Sequence, residues 1–325
     1  MTTIRIVCMD RRDKPGDDER KEFTEGETPP EFAMKYSSRF FLYAPFVGLF
    51  LLAAIAMTNW WLKATALAKE LEAINGHEIM PGVRLSFAEK RLAGFPFRLD
   101  TVLKNLRVEV TEVGGPVVWT SDGFAMHTLT YGRLQAILEA GGRQTLSWHD
   151  ASGGAHRFAF LPGTFRASAI LQHGTLIRFD GETVDLDGAD FRASNAQLHL
   201  RERGDGLDLY VKLSNAHITG GYAGPLGKEI TSLVAGGRVD HGAALEALLR
   251  GEEAPQEAIE NWRNAGGSIE VSEFSVARKN GTLGFTGKLA LDEAHDLSGT
   301  LHGQNGNALQ FSGNRLTLNS GLPRP

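Results

Sequence analysis

Histidine, aspartate and serine are the residue types with which this chain could do chemistry, and their spacing decides what each could do. His149-Asp150 and His156 bracket Gly153-Gly154 and form the most ligand-like cluster. A metal site needs nitrogen and oxygen donors that converge, held by further groups behind them. Two histidines and an acid around a Gly-Gly pair also make an ordinary wet hairpin turn, and no metal ligands are assigned. Asp180, Asp185, Asp187 and Asp190 offer carboxylates for calcium, but the loop pattern with its terminal bidentate Glu is missing. Val184 and Leu186 alternate with Asp185 and Asp187, which places these acids on the wet side of a strand. No G-x-S-x-G elbow marks a serine nucleophile. Gly220-Gly221-Tyr222-Ala223-Gly224 fits neither phosphate-loop nor dinucleotide spacing and reads as a turn before Pro225. No catalytic residue and no cofactor is therefore assigned.

The elements that would position such groups are mostly strands. Val83, Leu85 and Phe87 alternate with Arg84 and Ser86, and Leu106, Val108 and Val110 with Arg107 and Glu109. Leu207, Leu209, Val211 and Leu213 alternate with Asp208, Tyr210 and Lys212 after an Asp205-Gly206 turn. Leu283, Phe285, Leu289 and Leu291 follow the Asn280-Gly281 hairpin signal, with Gly287 in register. Period-two alternation means one apolar and one wet face, as in antiparallel sheet, and many such strands in succession make a meander. Phe165-Arg166-Ala167-Ser168-Ala169 and Phe191-Arg192-Ala193-Ser194-Asn195-Ala196 hint at a repeated strand.

Helical spacing appears in two regions. Leu67, Leu71 and Ile74 predict a short amphipathic helix ending at Asn75-Gly76. An insert at about 225–265 carries three stripes: Leu226, Ile230, Leu233 and Val234 behind Pro225; Leu245, Leu248 and Leu249; and Ala258, Ile259 and Trp262 behind Pro255, ended by Gly266-Gly267. These helices are the expected cover for the apolar face.

The chain has 325 residues and a formal charge of -5, with both signs dispersed. A nucleic-acid binder would gather its basic residues on one patch. The single cysteine, Cys8, leaves the folded part without disulfides, thiolate metal sites or cysteine nucleophiles, which suits an oxidising compartment. From Phe40 to Leu62 runs an uncharged stretch, about 23 residues, which at about 1.5 Å each crosses roughly 30 Å of hydrocarbon. Tyr43 and Trp60-Trp61 stand where interfacial aromatics belong. Arg20, Lys21, Lys35 and Arg39 before the span, and the bulk after it, predict a cytoplasmic N-terminus and an extracytoplasmic domain over 63–325. The tail 1–33 is dense in charge without apolar period and is expected to be disordered. Met34-Lys35-Tyr36-Ser37-Ser38-Arg39 makes a compact basic lead-in, so Met34 is the expected true start. Ala54-Ile55-Ala56 and Ala66-Leu67-Ala68 have cleavage-site spacing, but the run exceeds a signal-peptide core and an uncleaved anchor is expected.

Gly94-Phe95-Pro96-Phe97-Arg98-Leu99-Asp100 leads into a strand after the anchor and short helix. Trp262-Arg263-Asn264-Ala265-Gly266-Gly267-Ser268-Ile269-Glu270-Val271 leads into the Gly281–Leu291 hairpin and Leu297-Ser298-Gly299-Thr300-Leu301. Together these resemble the alphaproteobacterial domain-of-unknown-function family 2125, over most of residues 34–303. The resemblance implies a cell-envelope location and brings no catalytic residues; joined to the orientation of the span, the expectation is a bacterial inner-membrane anchor with a periplasmic domain. Family members continue past the last hairpin with a further helix, which Gly303-Gln304-Asn305-Gly306-Asn307 replaces here by a direct passage into Leu309 and Leu316; the closing Leu322-Pro323-Arg324-Pro325 resembles their Pro-rich tail. A looser likeness is to AsmA-like proteins, whose anchored sheets with one apolar face imply lipid grooves.

The expected fold is mainly β: one transmembrane helix, then an elongated antiparallel sheet covered by a few helices. The expected function is non-enzymatic, with lipid or an envelope protein bound on the apolar sheet face through Val83, Leu85, Phe87, Phe95, Phe97, Leu207, Leu209, Val211, Phe285 and Leu289. Burial there is worth roughly 25 cal/mol per Å². The alternatives are a scaffold docking other envelope proteins by its sheet edges or helices, and a hydrolase gathering His149, His156 and an acid.

Overall fold

Alternating apolar and polar residues become strand along nearly the whole chain beyond residue 76. The computed structural model describes residues 38–111, 115–131, 135–149, 153–219, 226–303, 306–313 and 315–319. The tail 1–33, Met34, Asp150, the Gly220–Gly224 turn with Pro225, and the closing 322–325 lie outside the described residues. Two units are distinguished, Met1–Phe50 and Leu51–Pro325, and the sheet belongs to the second.

Helix α1 runs without a break over Ser38–Ile74. It is long and apolar enough to cross a membrane, and most of the large apolar side chains from Tyr43 to Leu62 are bare, Phe50 being 74 % exposed. The expected short helix is thus the end of this same helix. Alanine, leucine and lysine from Lys63 to Ala73 carry strong helix propensity, and nothing between Trp61 and Leu67 breaks it.

The strands are β1 (His77–Met80), β2 (Val83–Ser86), β3 (Glu89–Ala93), β4 (Arg98–Val110), β5 (Val117–Leu129), β6 (Gln135–His149), β7 (Ala155–Leu161), β8 (Thr164–Gln172), β9 (Thr175–Gly188), β10 (Phe191–Arg203), β11 (Gly206–Ile218), β12 (Glu229–Val239), β13 (Ile269–Arg278), β14 (Gly281–Leu291), β15 (Leu297–Gly303), β16 (Ala308–Ser312) and β17 (Arg315–Asn319). All pairings are antiparallel, and each strand pairs with the next in sequence, save where one strand is split in two. β2 and β3 lie end to end along β4. β7 and β8 lie end to end along β9, broken at Pro162-Gly163, since proline has no N–H to give the ladder.

Between β12 and β13 stand a 3₁₀ turn (Gly242–Leu245), α2 (Glu246–Leu249) and α3 (Pro255–Asn264). α3 opens on Pro255, as expected, and buries Ala258 and Trp262. Trp262 Nε1 donates to the Asp240 carbonyl at 2.6 Å, while Asp240 accepts from the Ser268 N–H and hydroxyl. A methyl group at Gly267 would overlap the Trp262 indole, so the bare backbone there is what lets the helix close on the strand.

One expected helix is not helical. Leu226, Ile230, Leu233 and Val234 have helical spacing, yet Glu229–Val239 is strand β12. Ile230, Thr231 and Val234 are β-branched, and Gly236-Gly237 would weaken a helix interior. The segment also has ready partners on both sides, β11 and β13. The helical part is correspondingly narrower than 225–265.

Candidate functional site

Cross-strand register sorts the residues into two faces. On one, a single row crosses thirteen strands of the meander: Leu99, Thr128, Ala136, Ala169, Phe179, Leu200, Leu209, Gly237, Val271, Gly287, Leu301, Leu309 and Leu318, each opposite the next. No member of that row is charged. Val83 and Leu85 extend the same face through their partners Val110 and Val108.

How this face is covered differs along the sheet. At its start, Leu67, Leu71 and Ile74 of α1 pack on Phe87, Leu103 and Leu106, with Leu85, Trp119 and Phe124 beside them. At its far end, Phe285, Leu289, Leu301 and Leu309 form a buried cluster closed by Phe311, Leu316 and Leu318. A third cluster joins Leu186, Ala193, Ala216, Ile230 and Val276. Between these regions the cover is incomplete. Leu146 is 36 % and Leu198 41 % exposed, and Phe158, Phe179, Leu200, Leu209 and Val211 are only half-buried. Thr101 and Thr183, whose hydroxyls are buried with no partner, stand on this face too.

The ten expected liners therefore fall into four groups. Leu207, Leu209 and Val211 lie on the middle of the apolar face, the last two half-buried. Val83, Leu85 and Phe87 lie at its start, Phe87 under the helix, and Phe285 and Leu289 are sealed in the far cluster. Phe95 and Phe97 are not on the face at all: they sit in the turn between β3 and β4, 52 % and 56 % exposed.

The opposite face carries an arrangement that the sequence reading did not single out. Asp100, His127, Ile137, Ser168, Asp180, His199 and Tyr210 form one transverse row. Asp100 accepts from Arg98 at 2.6 Å and lies 2.8 Å from His127 Nδ1. Arg166 pairs with Glu139 at 2.8 Å, and Glu139 stands 3.7 Å from His127 Nε2. Asp180 repeats the motif with Arg178 and with His199, the latter at 2.7 Å. The Arg98 hydrogen bond holds the Asp100 carboxyl below the usual range against burial, with help from His127. For Asp180 burial is the largest influence and acts upward, but the hydrogen bonds and charges of His199 and Arg178 together outweigh it. Over the first group lies a hollow of about 610 Å³, lined by Arg98, His127, Leu129, Gln135, Ile137, Glu139 and Arg166. Each carboxylate here already has its cation, so the charges are spent on one another. The signal available in the sequence was the repeated Arg-x-Asp at 98–100 and 178–180, but the histidines join it only through strand register.

His149 and His156 do not converge. They flank the β6–β7 hairpin at successive register positions, with His156 opposite Trp148 and stacked on it at 5.4 Å, and His149 opposite Ala155. Among the described residues no group of three or more His, Cys, Asp or Glu could hold a metal ion. Asp187 pairs with Arg192 at 2.8 Å, and Asp185, Asp187 and Asp190 are exposed.

Residues 60–310 match the model of a family described as an uncharacterized protein conserved in bacteria (DUF2125). No curated protein and no solved structure matches the chain.

Proposed function

This chain belongs to the bacterial DUF2125 family, and from that premise we propose that it is a non-enzymatic, single-pass membrane protein of the cell envelope that holds lipid acyl chains on the apolar face of its sheet. Its helix crosses the inner membrane with the N-terminus in the cytoplasm and the β-rich part in the periplasm. The observation that carries the lipid reading is the half-covered middle of the apolar face. A row without charge runs from the strands under α1 to the far cluster, and between them Leu146, Leu198, Leu209 and Val211 lack full cover. Burial of apolar surface, at roughly 25 cal/mol per Å², is the whole driving force this site offers.

The test is photocrosslinking in native membranes, with a benzophenone side chain placed at Leu198 or Val211 of the full chain and at Lys212 on the wet face. Lipid adducts at the first two positions and none at Lys212 are the expected outcome. Equal labelling at all three, or none at Leu198 and Val211, removes the lipid reading.

A scaffold reading is favoured by one feature. β17 pairs in register with β16 and with no other described strand, and an open edge is a template for a partner's strand. Stoichiometric recovery of a protein crosslinked to β17 would make it the better account.

A further inference from the structure

Large apolar side chains are exposed in two neighbouring turns of the sheet, and both turns are fastened to the end of the apolar helix. The first holds Phe95 and Phe97, 52 % and 56 % exposed; the second holds Leu129 and Tyr131, 52 % and 61 % exposed. The turns are stitched to each other. The Thr130 N–H donates to the Phe97 carbonyl at 3.0 Å, its hydroxyl donates to the same atom at 3.1 Å, and the Phe97 and Tyr131 rings meet edge to face at 6.4 Å. Gly94, at φ +93°, shapes the first turn, where a Cβ would lie 2.9 Å from the Arg98 carbonyl.

They are also stitched to the helix. Trp60 Nε1 donates to the Arg98 carbonyl at 2.7 Å, and its ring stands edge-on to Phe95 at 5.5 Å. Lys63 Nζ donates to the Thr130 carbonyl. Trp60 lies two residues from the end of the uncharged run, where tryptophan takes the interfacial level of a bilayer and lysine just beyond reaches the headgroups. A ring in contact with Trp60 is at that same level.

We infer that Phe95, Phe97, Leu129 and Tyr131 form a rim that enters the headgroup layer of the bilayer that α1 crosses, making a second membrane contact beside the helix. The occupant of this patch is a lipid surface, because the patch is continuous with the helix end already assigned to one. Two exposed phenylalanines, a leucine and an amphipathic tyrosine match the composition of interfacial anchors. The sheet is thereby seated on the membrane by its β3–β4 turn and by the end of β5 with Tyr131, and the hollow lined by Arg98, His127 and Leu129 opens beside the headgroups. This inference rests on the membrane-anchor reading, so its test reports on both.

The full chain, carrying Cys8→Ser, is given one cysteine at a time: Phe95→Cys, Phe97→Cys, Leu129→Cys or Tyr131→Cys at the rim, Ala53→Cys in the middle of the span, and Glu109→Cys near the opposite end of β4. Each is labelled with an environment-sensitive fluorophore and reconstituted into phosphatidylethanolamine–phosphatidylglycerol vesicles containing lipid brominated near the headgroup end of the acyl chains, or, for Ala53, near their methyl ends. Blue-shifted emission and lipid quenching at the four rim positions, with neither at Glu109, is the expected result. Quenching at Ala53 but unshifted, unquenched emission at the rim overturns the rim and leaves the anchor standing. Unquenched emission at Ala53 removes the anchor and the rim with it.

Discussion

Asp100 and its neighbours show how much of this molecule is decided by single side chains. Its carboxyl is 10 % exposed and held by Arg98 and His127, and it stays ionised below the usual range chiefly because Arg98 donates to it. In the unfolded chain an aspartate titrates near about 3.9. A carboxyl depressed on folding adds stability that is fully present above that value and lost as pH falls through the lower folded one. Asp180 and Asp240, also depressed, act in the same direction. Asp100→Asn should therefore cost about 1–3 kcal/mol at neutral pH, and the deficit should shrink below about pH 4. Urea unfolding of the two proteins at pH 7 and pH 3 measures it. Thr101 is the opposite case. Its buried hydroxyl has no partner, so Thr101→Val should be neutral or stabilising by the same method, and a loss above about 1 kcal/mol would mean that the hydroxyl is bonded after all. Neither effect was legible beforehand: Arg98-x-Asp100 is visible in the sequence, but His127 joins it only because β4 and β5 pair in one particular register.

Among the elements, α1 and α3 followed their sequence signals and β12 did not. Leu67, Leu71 and Ile74 announced a buried stripe, and they pack where a stripe must, on the apolar strands beside them. What the spacing could not reveal was that the stripe continues the membrane helix, because a period defines a face and not a boundary. Ile230, Leu233 and Val234 carry a period that a helix and a strand of this composition can share, and the two neighbouring strands decided it. Leu71→Ala should cost about 2–5 kcal/mol and detach the helix end from the sheet, which limited proteolysis near Asn75-Gly76 would report as faster cleavage. Gly267→Ala should be as damaging for its size as any substitution in α3, since the new methyl meets the Trp262 ring. The expected loss is about 1–3 kcal/mol, read from the unfolding midpoint.

At the scale of the whole molecule, antiparallel alternation was legible along much of the sheet, with β12 the exception, while the cover of the apolar face was not. A leucine contributes the same letter to the sequence whether α1, a neighbouring strand or nothing lies over it, so Leu289 and Leu209 look alike until their surroundings are known. The last strands show the difference. Leu316 and Leu318 of β17 close the cluster around Leu301 and Leu309, both fully buried. A chain ending at Ser312 should bare Leu309 and Phe311 along a fresh edge and self-associate, which light scattering of the purified truncation would detect against the full chain.

The order of the strands has a further consequence for how such a protein comes into being. Apart from β3, which waits for β4, every strand after the first pairs with one made shortly before it, so a growing chain nearly always meets a partner already in place, and no segment must wait for a distant one. Loop-closure costs stay small throughout. The same plan sets no natural length: a hairpin added to or removed from the meander changes its extent by two strands and disturbs only the neighbours at the join. Lineages that need a longer or shorter sheet can obtain it by duplication or loss of a few dozen residues, with the anchor helix untouched.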